Sequence, residues 1–461
     1  MFYLASLILL LQIFDGGSTG SRLHVFEWED GIVHRRGSSR TLIPLSAFGQ
    51  NQTGVAEHLL PPLEYAATIV PLEYHASTKV YYQATAGMRL LSPDEQNAVY
   101  DALFEGLIAD ERFVFDLHRE NIQTLSGDLE GLYGVLAANY LHGTLTASME
   151  WKSGPIGSLD MGGSSTQIVF LPNGTVEEPQ TCAWGDRAEE CGSDDSIPEF
   201  FSTSYLSYGV NQIRERLWSS WVKRRRRNDD ETCEAPLLEN PCANPGYDVE
   251  FEGYTLVGTG NATACAEQVQ RLIPHPHEEE LDRLGTQVGG IEHPPIQGKF
   301  LAMSLFFFAL DSLRELSHAE PDAHAALNAA WPTPSINELS DALDGLCRRS
   351  WTGDLEDIAH DAHAFTQADG LPHRCFEAVY LVTLLRDGFG FDPEARDITF
   401  SFLVDGSEVE WTLGMALTLK AAEGQEEVES EIFMDDNETS TDDMKSWWEE
   451  LSHHIFYAVS S

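Results

Sequence analysis

Two distant stretches of this chain carry the same acid-first, glycine-rich turn, and any fold proposed for it must account for both. Asp15-Gly16-Gly17-Ser18-Thr19-Gly20-Ser21 follows the apolar run Ile8–Phe14, and Asp160-Met161-Gly162-Gly163-Ser164-Ser165-Thr166 follows Ile156–Leu159. Each run reads as a strand that delivers an aspartate into a tight turn. Gly17, Gly20, Gly162 and Gly163 allow the backbone to turn sharply and to approach a ligand closely. The bared N–H groups, with the hydroxyls of Ser18, Thr19, Ser164 and Ser165, can cradle phosphate oxygens, and the Asp can hold a cation or its water shell. One such turn is a weak sign, because many tight turns need glycine. Two with one layout point to a duplicated domain pair clasping one polyphosphate.

The length of 461 residues suits two domains better than one core. Seventy-four acids stand against 28 bases, a net charge of −46. A chain so acidic is repelled by nucleic acid and by anionic membrane surfaces, and an anionic substrate needs a cation or backbone dipoles to approach it. A bound divalent metal is expected on that ground. None of the seven cysteines forms a CxxC pair, which argues against zinc. The cysteines all fall after residue 180, and four Asn-x-Thr sequons stand at Asn51, Asn173, Asn261 and Asn437. Together they point to a secretory, disulfide-permitting compartment, Golgi lumen or cell exterior. The odd cysteine is left free or pairs outside the chain.

Phe2–Phe14 is apolar enough for the core of a signal peptide. No Lys or Arg precedes Arg22, however, and no small-residue cleavage site precedes Asp15. We read it as a core strand, with the natural start expected upstream. No other stretch is long enough to span a bilayer, so no anchor is visible and the chain is soluble or anchored through upstream residues.

Further along, Leu23–Trp28 and Val80–Ala84 read as strands. Pro93–Ala109 reads as a helix with Ser92 as N-cap and Glu95 closing a capping box. Leu129–His142, Phe300–Leu313 and Phe376–Leu385 read as helices. Ser158–Leu171 reads as strand–turn–strand, and Phe400–Val404 with Val409–Leu413 as a hairpin around Asp405-Gly406. Lys223–Arg227 is five consecutive bases in an acidic chain, read as a solvated insertion loop or else as a processing-protease site. Residues 423–443 carry ten acids and no base, the mark of a solvated, disordered tail.

Phosphoryl transfer to water needs a metal clamp, donors around the transferred group and a base that orients the water. Beyond the two turns, Thr85 in Thr85-Ala86-Gly87 is a third candidate phosphate contact. Glu130, at the start of a predicted helix, can serve as general base with Gln167 holding the water. By residue type alone Glu130 also reads as a helix-terminal acid complementing the dipole.

Taken in order, these segments resemble the conserved regions of the apyrase, or ecto-nucleoside triphosphate diphosphohydrolase, family. Ile13–Arg22, Ala84–Leu91, Gly127–Gly134 running on to Leu141, and Leu159–Gln167 resemble the first four regions. Ser204–Gly209, Asn240–Tyr247, Gly258–Cys265, Pro294–Phe308 and Trp411-Thr412-Leu413-Gly414 resemble later blocks. The resemblance implies an α/β fold of two RNase H/actin-like domains with a nucleotide cleft between them. The expected limits are 1–126 with 402–424, then 127–401, then an acidic tail at 425–461. It also implies removal of terminal phosphates from nucleoside tri- and diphosphates, down to the monophosphate, using Ca²⁺ or Mg²⁺ and without a phosphoenzyme. Asp15 and Asp160 then hold the metal's water shell, Ser18, Thr85 and Ser165 contact phosphate or water, Glu130 is the base and Gln167 positions the nucleophile. Trp411 lines the cleft and Phe307 stacks on the base, with plain core as the alternative for the Phe cluster. Disulfides Cys242–Cys265 and Cys347–Cys375 are implied as well. Val135 and Arg374 depart from the family pattern, which bears on base preference. An exopolyphosphatase or guanosine pentaphosphate phosphatase is the nearest competing reading. A nucleotide-gated, actin-like binding module is another, though such a module needs no base.

Overall fold

A computed structural model describes residues 9–29, 32–172, 200–228, 237–274, 287–318 and 321–421. They form two compact units. The first draws on the described residues within 1–155, 200–202 and 409–421, and the second on those within 156–172 and 203–408.

The first unit is built on a five-stranded sheet in the order β3-β2-β1-β4-β5. Its strands are β1 (Leu9–Gly17), β2 (Gly20–Glu29), β3 (Ile32–Thr41), β4 (Lys79–Ala84) and β5 (Ile122–Thr124). The hairpin β1–β2 is antiparallel, and β4 and β5 then add in parallel to β1. Both faces of β1 are covered, which explains an apolar run that is interrupted only by the buried Gln12. Leu10 and Phe14 face helices α1 (Val55–Ile69) and α3 (Pro93–Ile108) through Leu59, Leu63, Val99 and Leu103. On the other face, Leu11 and Ile13 meet Tyr133, Leu136 and Ala137 of α4 (Gly127–His142) together with Trp411 and Met415. Ile13 is fully buried, and truncating such a residue to Ala costs about 2–5 kcal/mol. The α3 start has the expected form: Ser92 caps, Glu95 closes the capping box and Pro93 opens the helix.

The second unit repeats the plan. Its sheet runs β13-β12-β6-β7-β8, with β6 (Gly157–Met161), β7 (Ser165–Phe170), β8 (Phe201–Leu206), β12 (Phe300–Ala302) and β13 (Ile398–Phe400). Again the first two strands form an antiparallel hairpin, and the fourth and fifth add in parallel beside the first. Between β8 and β12 lie α5 (Val210–Asn228), a small sheet of β9 (Leu237–Asn240), β10 (Asp248–Phe251) and β11 (Tyr254–Gly258), and α6 (Ala262–Gln270). The disulfides Cys242–Cys265 and Cys347–Cys375 are both formed.

Several expectations change. The units part after Pro155, not after 126, because α4 supplies core side chains to the first sheet. The second limit also moves, from 401/402 to Glu408 and Val409. Phe300–Leu313 is not one helix: Phe300–Ala302 is the strand β12, and only after Ser304 (φ +53°) does α7 (Leu305–Leu316) begin. A buried strand and a buried helix share the same apolar signature over a few residues. The hairpin around Asp405-Gly406 pairs Leu403–Val404 with Ser407–Glu408, while residues 411–421 are helical. Trp411 and Met415 stand at i, i+4, and with Leu413, Ala416 and Leu417 they pack into one core. Lys223–Arg227 is the end of helix α5 and not a loop. Asn173, Asn437, the acidic tail and Cys182, Cys191 and Cys233 lie outside the described residues.

Candidate active site

In the first unit, the parallel strands β1, β4 and β5 bring their carboxyl ends to one edge of the sheet, where ligands of α/β folds commonly bind. Asp15, half-buried, stands near the end of β1 opposite Arg22 of β2. The turn Ser18-Thr19 follows, and Gly20 closes it at φ +146°, where a Cβ would lie 2.1 Å from the Thr41 carbonyl oxygen. At the end of β4, the buried Thr85 donates its N–H to the Gly16 carbonyl (3.0 Å), and its Oγ1 lies 3.4 Å from the same oxygen. Gly87 then packs so closely on the turn that a Cβ would stand 3.0 Å from Ser18 Cα. Beyond β5, Ser126 caps α4 by accepting from the Leu129 N–H, which sets Glu130 in the first turn with its carboxylate nearly buried.

Arg89, which the sequence reading left without a role, joins these pieces. It ends the short helix α2 (Ala86–Arg89), its Nε donates to the Leu125 carbonyl (2.8 Å), and its Nη2 bonds Glu130 Oε2. Glu410 is a second residue that sequence reasoning missed. It binds Arg22 (2.5 Å), His24 Nε2 (2.9 Å) and Arg35 (3.5 Å), tying the strand after the first turn to the segment before Trp411. Burial works against its charge, yet His24, Arg22 and Arg35 hold its carboxyl well below the usual carboxylate range. No local pattern marks it, since its partners lie nearly the whole chain away.

In the second unit, Asp160 faces Gln167 across the β6–β7 hairpin, as Asp15 faces Arg22, each pair being seven positions apart. The duplicated turns therefore share register, and one hairpin offers a guanidinium where the other offers an amide. Gln167 is 2% exposed, and its Nε2 donates to Ser165 Oγ and Ser204 Oγ, both at 2.9 Å. Thr166 Oγ1 donates to the Asp160 carbonyl at 2.7 Å.

The turn itself is oriented from below. The N–H groups of Val210 and Asn211, at the start of α5, bond the carbonyls of Gly162 (3.0 Å) and Gly163 (2.9 Å), and Ser207 N–H bonds that of Ser164 (2.8 Å). In a trans peptide the N–H points opposite to the carbonyl. The N–H groups of Gly163, Ser164 and Ser165 are thereby aimed away from these bonds, the orientation in which successive backbone N–H groups can meet an anion. Gly209 permits this seat: a Cβ there would lie 2.3 Å from Ser164 N.

Phe307 lies on the first turn of α7, just past the carboxyl end of β12, the parallel neighbour of β6. It is half-buried among Phe308, Trp331, Phe365 and Phe402, with centroids 5.4–6.2 Å away. Trp411 is 4% exposed and packs in the core of the first unit, so it supports α4 from behind and presents little surface to a ligand. The departing residues Val135 and Arg374 are both buried, Arg374 bonding Glu377 at 2.5 Å and Thr366 Oγ1 at 2.9 Å.

Each turn carries one aspartate, Asp15 in the first unit and Asp160 in the second, with hydroxyls beside it, the oxygen-only chemistry that a hard divalent cation keeping its waters prefers. Among the described residues one cluster of metal-type ligands occurs elsewhere, Asp311, Glu315 and His363. There Arg314 bonds Asp311 at 2.6 Å and Glu315 at 2.9 Å, so a guanidinium already supplies the positive charge.

The chain matches the family model GDA1/CD39 (nucleoside phosphatase) over residues 11–431. Ectonucleoside triphosphate diphosphohydrolase 1 of Mus musculus is 26% identical over 444 residues, covering 88% of this chain and 80% of that protein. Golgi apyrase of Saccharomyces cerevisiae is 26% identical over 453 residues, covering 88% and 69%. Ectonucleoside triphosphate diphosphohydrolase 8 of Bos taurus is 28% identical over 433 residues, covering 88% and 81%. A solved structure of nucleoside triphosphate hydrolases from Neospora caninum superposes with a TM-score of 0.61 at 15% identity, covering 89% of this chain and 92% of that one. That likeness bears on the fold, two actin-like domains.

Proposed function

The chain belongs to the GDA1/CD39 (nucleoside phosphatase) family and is a hydrolase of nucleoside tri- and diphosphates; we propose that it works by direct attack of water on the terminal phosphate. The observation that carries this reading is the delivery of Thr85 and Glu130 to the same sheet edge as the Asp15 turn. A module that only binds needs the donors but not the carboxylate.

In this reading Gly17, Ser18, Thr19 and Gly20 of one turn, and Gly162, Gly163 and Ser164 of the other, hold phosphate oxygens. Glu130 accepts the proton of the attacking water at its carboxylate. Gln167, fixed by Ser165 and Ser204, orients that water, and Thr85 and Ser165 donate hydroxyls to the transferred group. Asp15 and Asp160 hold the water shell of Ca²⁺ or Mg²⁺, which when bound neutralises charge on the phosphates. Phe307 offers an aromatic face to the base, and Trp411 acts through the packing of α4. The relatives are named as ecto- and Golgi enzymes, and with two disulfides the chain fits a secretory or extracellular setting. The exposed sequon residues Asn51 and Asn261 are then open to glycosylation. Among the described residues no helix is long and apolar enough to cross a membrane.

The test is Glu130→Gln, assayed for phosphate release from ATP, ADP and UDP and for nucleotide binding. Turnover is expected to fall by about 10²–10⁴ with binding retained. Equal loss of both removes Glu130 from the role of base.

A further inference from the structure

The basic run Lys223–Arg227 has no part in the chemistry above, and its place in the fold is specific. Helix α5 is anchored through Trp218, Trp221 and Val222, all buried, and from Lys223 to Arg227 every residue is exposed. The buried part of the helix therefore ends at Val222. In the last turn, Lys223 and Arg227 stand at i, i+4, and Arg224 and Arg227 at i, i+3, pairs whose like charges weaken a helix. The helix dipole favours positive charge at this end, but five adjacent bases exceed what it can balance. Arg226 is held from outside the helix: Nη1 meets Glu252 at 3.1 Å, Nη2 donates to the Glu252 carbonyl at 3.1 Å, and the guanidinium lies 5.6 Å from the Tyr254 ring centroid. That contact is exposed, and exposed ion pairs are easily exchanged for water.

The arrangement also separates two kinds of partner. An anionic surface is met by one face of a helix, which needs bases at i, i+3, i+4 and i+7. Five consecutive residues instead point all round the axis, since each advances by about 100°. Consecutive arginines are read together only by a partner that takes the chain extended. We propose that Arg224–Arg227 is a cleavage site for an endoprotease whose acidic pockets recognise runs of arginine, cutting the Arg227–Asn228 bond. Such an enzyme would be met in the secretory setting argued above, so the proposal rests on that placement. The step is hydrolysis: water's oxygen becomes the second oxygen of the Arg227 carboxylate, and the Asn228 nitrogen leaves as an amine carrying the added proton.

Both described disulfides lie after the cut, Cys242–Cys265 and Cys347–Cys375. The buried side chains Ile213, Leu217, Trp221 and Val222 keep α5 in the core of the second unit. The cut chain should therefore stay assembled under native conditions and separate on a reducing, denaturing gel.

The experiment treats the native full chain with a purified paired-basic endoprotease of the secretory pathway and sequences the fragments. A single cut giving a new N-terminus at Asn228, lost in Arg227→Ala and slowed in Arg224→Ala, is expected. A native chain left intact, while the reduced and denatured chain is cut at the same bond, overturns the proposal because the helix then protects the site. Adsorption of the uncut chain to phosphatidylserine vesicles through the same arginines, with no cutting, also overturns it and assigns the run to a lipid surface. Nucleotide hydrolysis plays no part in the readout, so failure here leaves the hydrolase reading untouched.

Discussion

The Arg89 guanidinium clamps Glu130 from one side, its Nη2 on the carboxylate while its Nε is fixed 2.8 Å from the Leu125 carbonyl. Leu125 N–H is bonded in turn to the Ala84 carbonyl at 2.8 Å. The carboxylate proposed as base is thus referenced to the ends of β4 and β5 and is not left to the rotamer of an isolated side chain. One amine of Arg89, Nη1, is buried without a partner among the described residues, a donor for water or ligand to satisfy.

Arg89→Met should lower kcat by about a hundredfold, the usual cost of misplacing a catalytic group by about an ångström, with KM changed much less. Arg89→Lys should recover part of the loss, since it restores charge without the two-point clamp. If both variants raise KM and leave kcat alone, Arg89 belongs to substrate binding instead. Steady-state kinetics on ADP separates the two.

Two glycines should fail in different ways. Gly209→Ala places a methyl 2.3 Å from Ser164 N, so the turn proposed to hold phosphate must move and turnover should drop more than stability. Gly414→Ala places one 1.9 Å from the Tyr133 carbonyl oxygen, between the 411–421 helix and α4. Its overpacking should cost about 1–3 kcal/mol of stability. Thermal melts and phosphate release on the same preparations would show whether the two effects separate.

His373 gives a pH signature in stability. Burial first, then Arg214 and Arg374, push its pKa from 6.5 down to about 4. Between those values the unfolded chain binds more protons than the native one, so stability is full above about 6.5 and falls as pH drops toward 4. The loss over that window is at most about 3 kcal/mol. Denaturant titrations at pH 7 and pH 5 should show it, and His373→Gln should flatten it. Glu410 is also shifted downward, but as a carboxylate it is held in its charged form, so it contributes stability that is present above its ordinary value near 4.5 and is lost as pH falls below it.

Removal of divalent cations should abolish phosphate release, and added Ca²⁺ or Mg²⁺ should restore it. Asp160→Asn should raise the cation concentration needed for half-maximal activity. Undiminished turnover in excess chelator would count against the assignment of Asp15 and Asp160.

Local chemistry in the sequence was enough to place the turns, the Ser92–Glu95 capping box and the strand–turn–strand units, because each is decided within a few residues by glycine, capping and alternation. It was enough, too, for the family and for the duplicated plan, since Asp15 and Asp160 sit in repeated patterns. It could not separate the strand Phe300–Ala302 from the helix that follows, because burial on all sides erases periodicity. Nor could it show that Trp411 packs as core, that Glu410 gathers Arg22, His24 and Arg35, or that Arg89 holds Glu130. Those relations join residues tens to hundreds of positions apart, and only the packing of the sheets and helices brings their charges within reach.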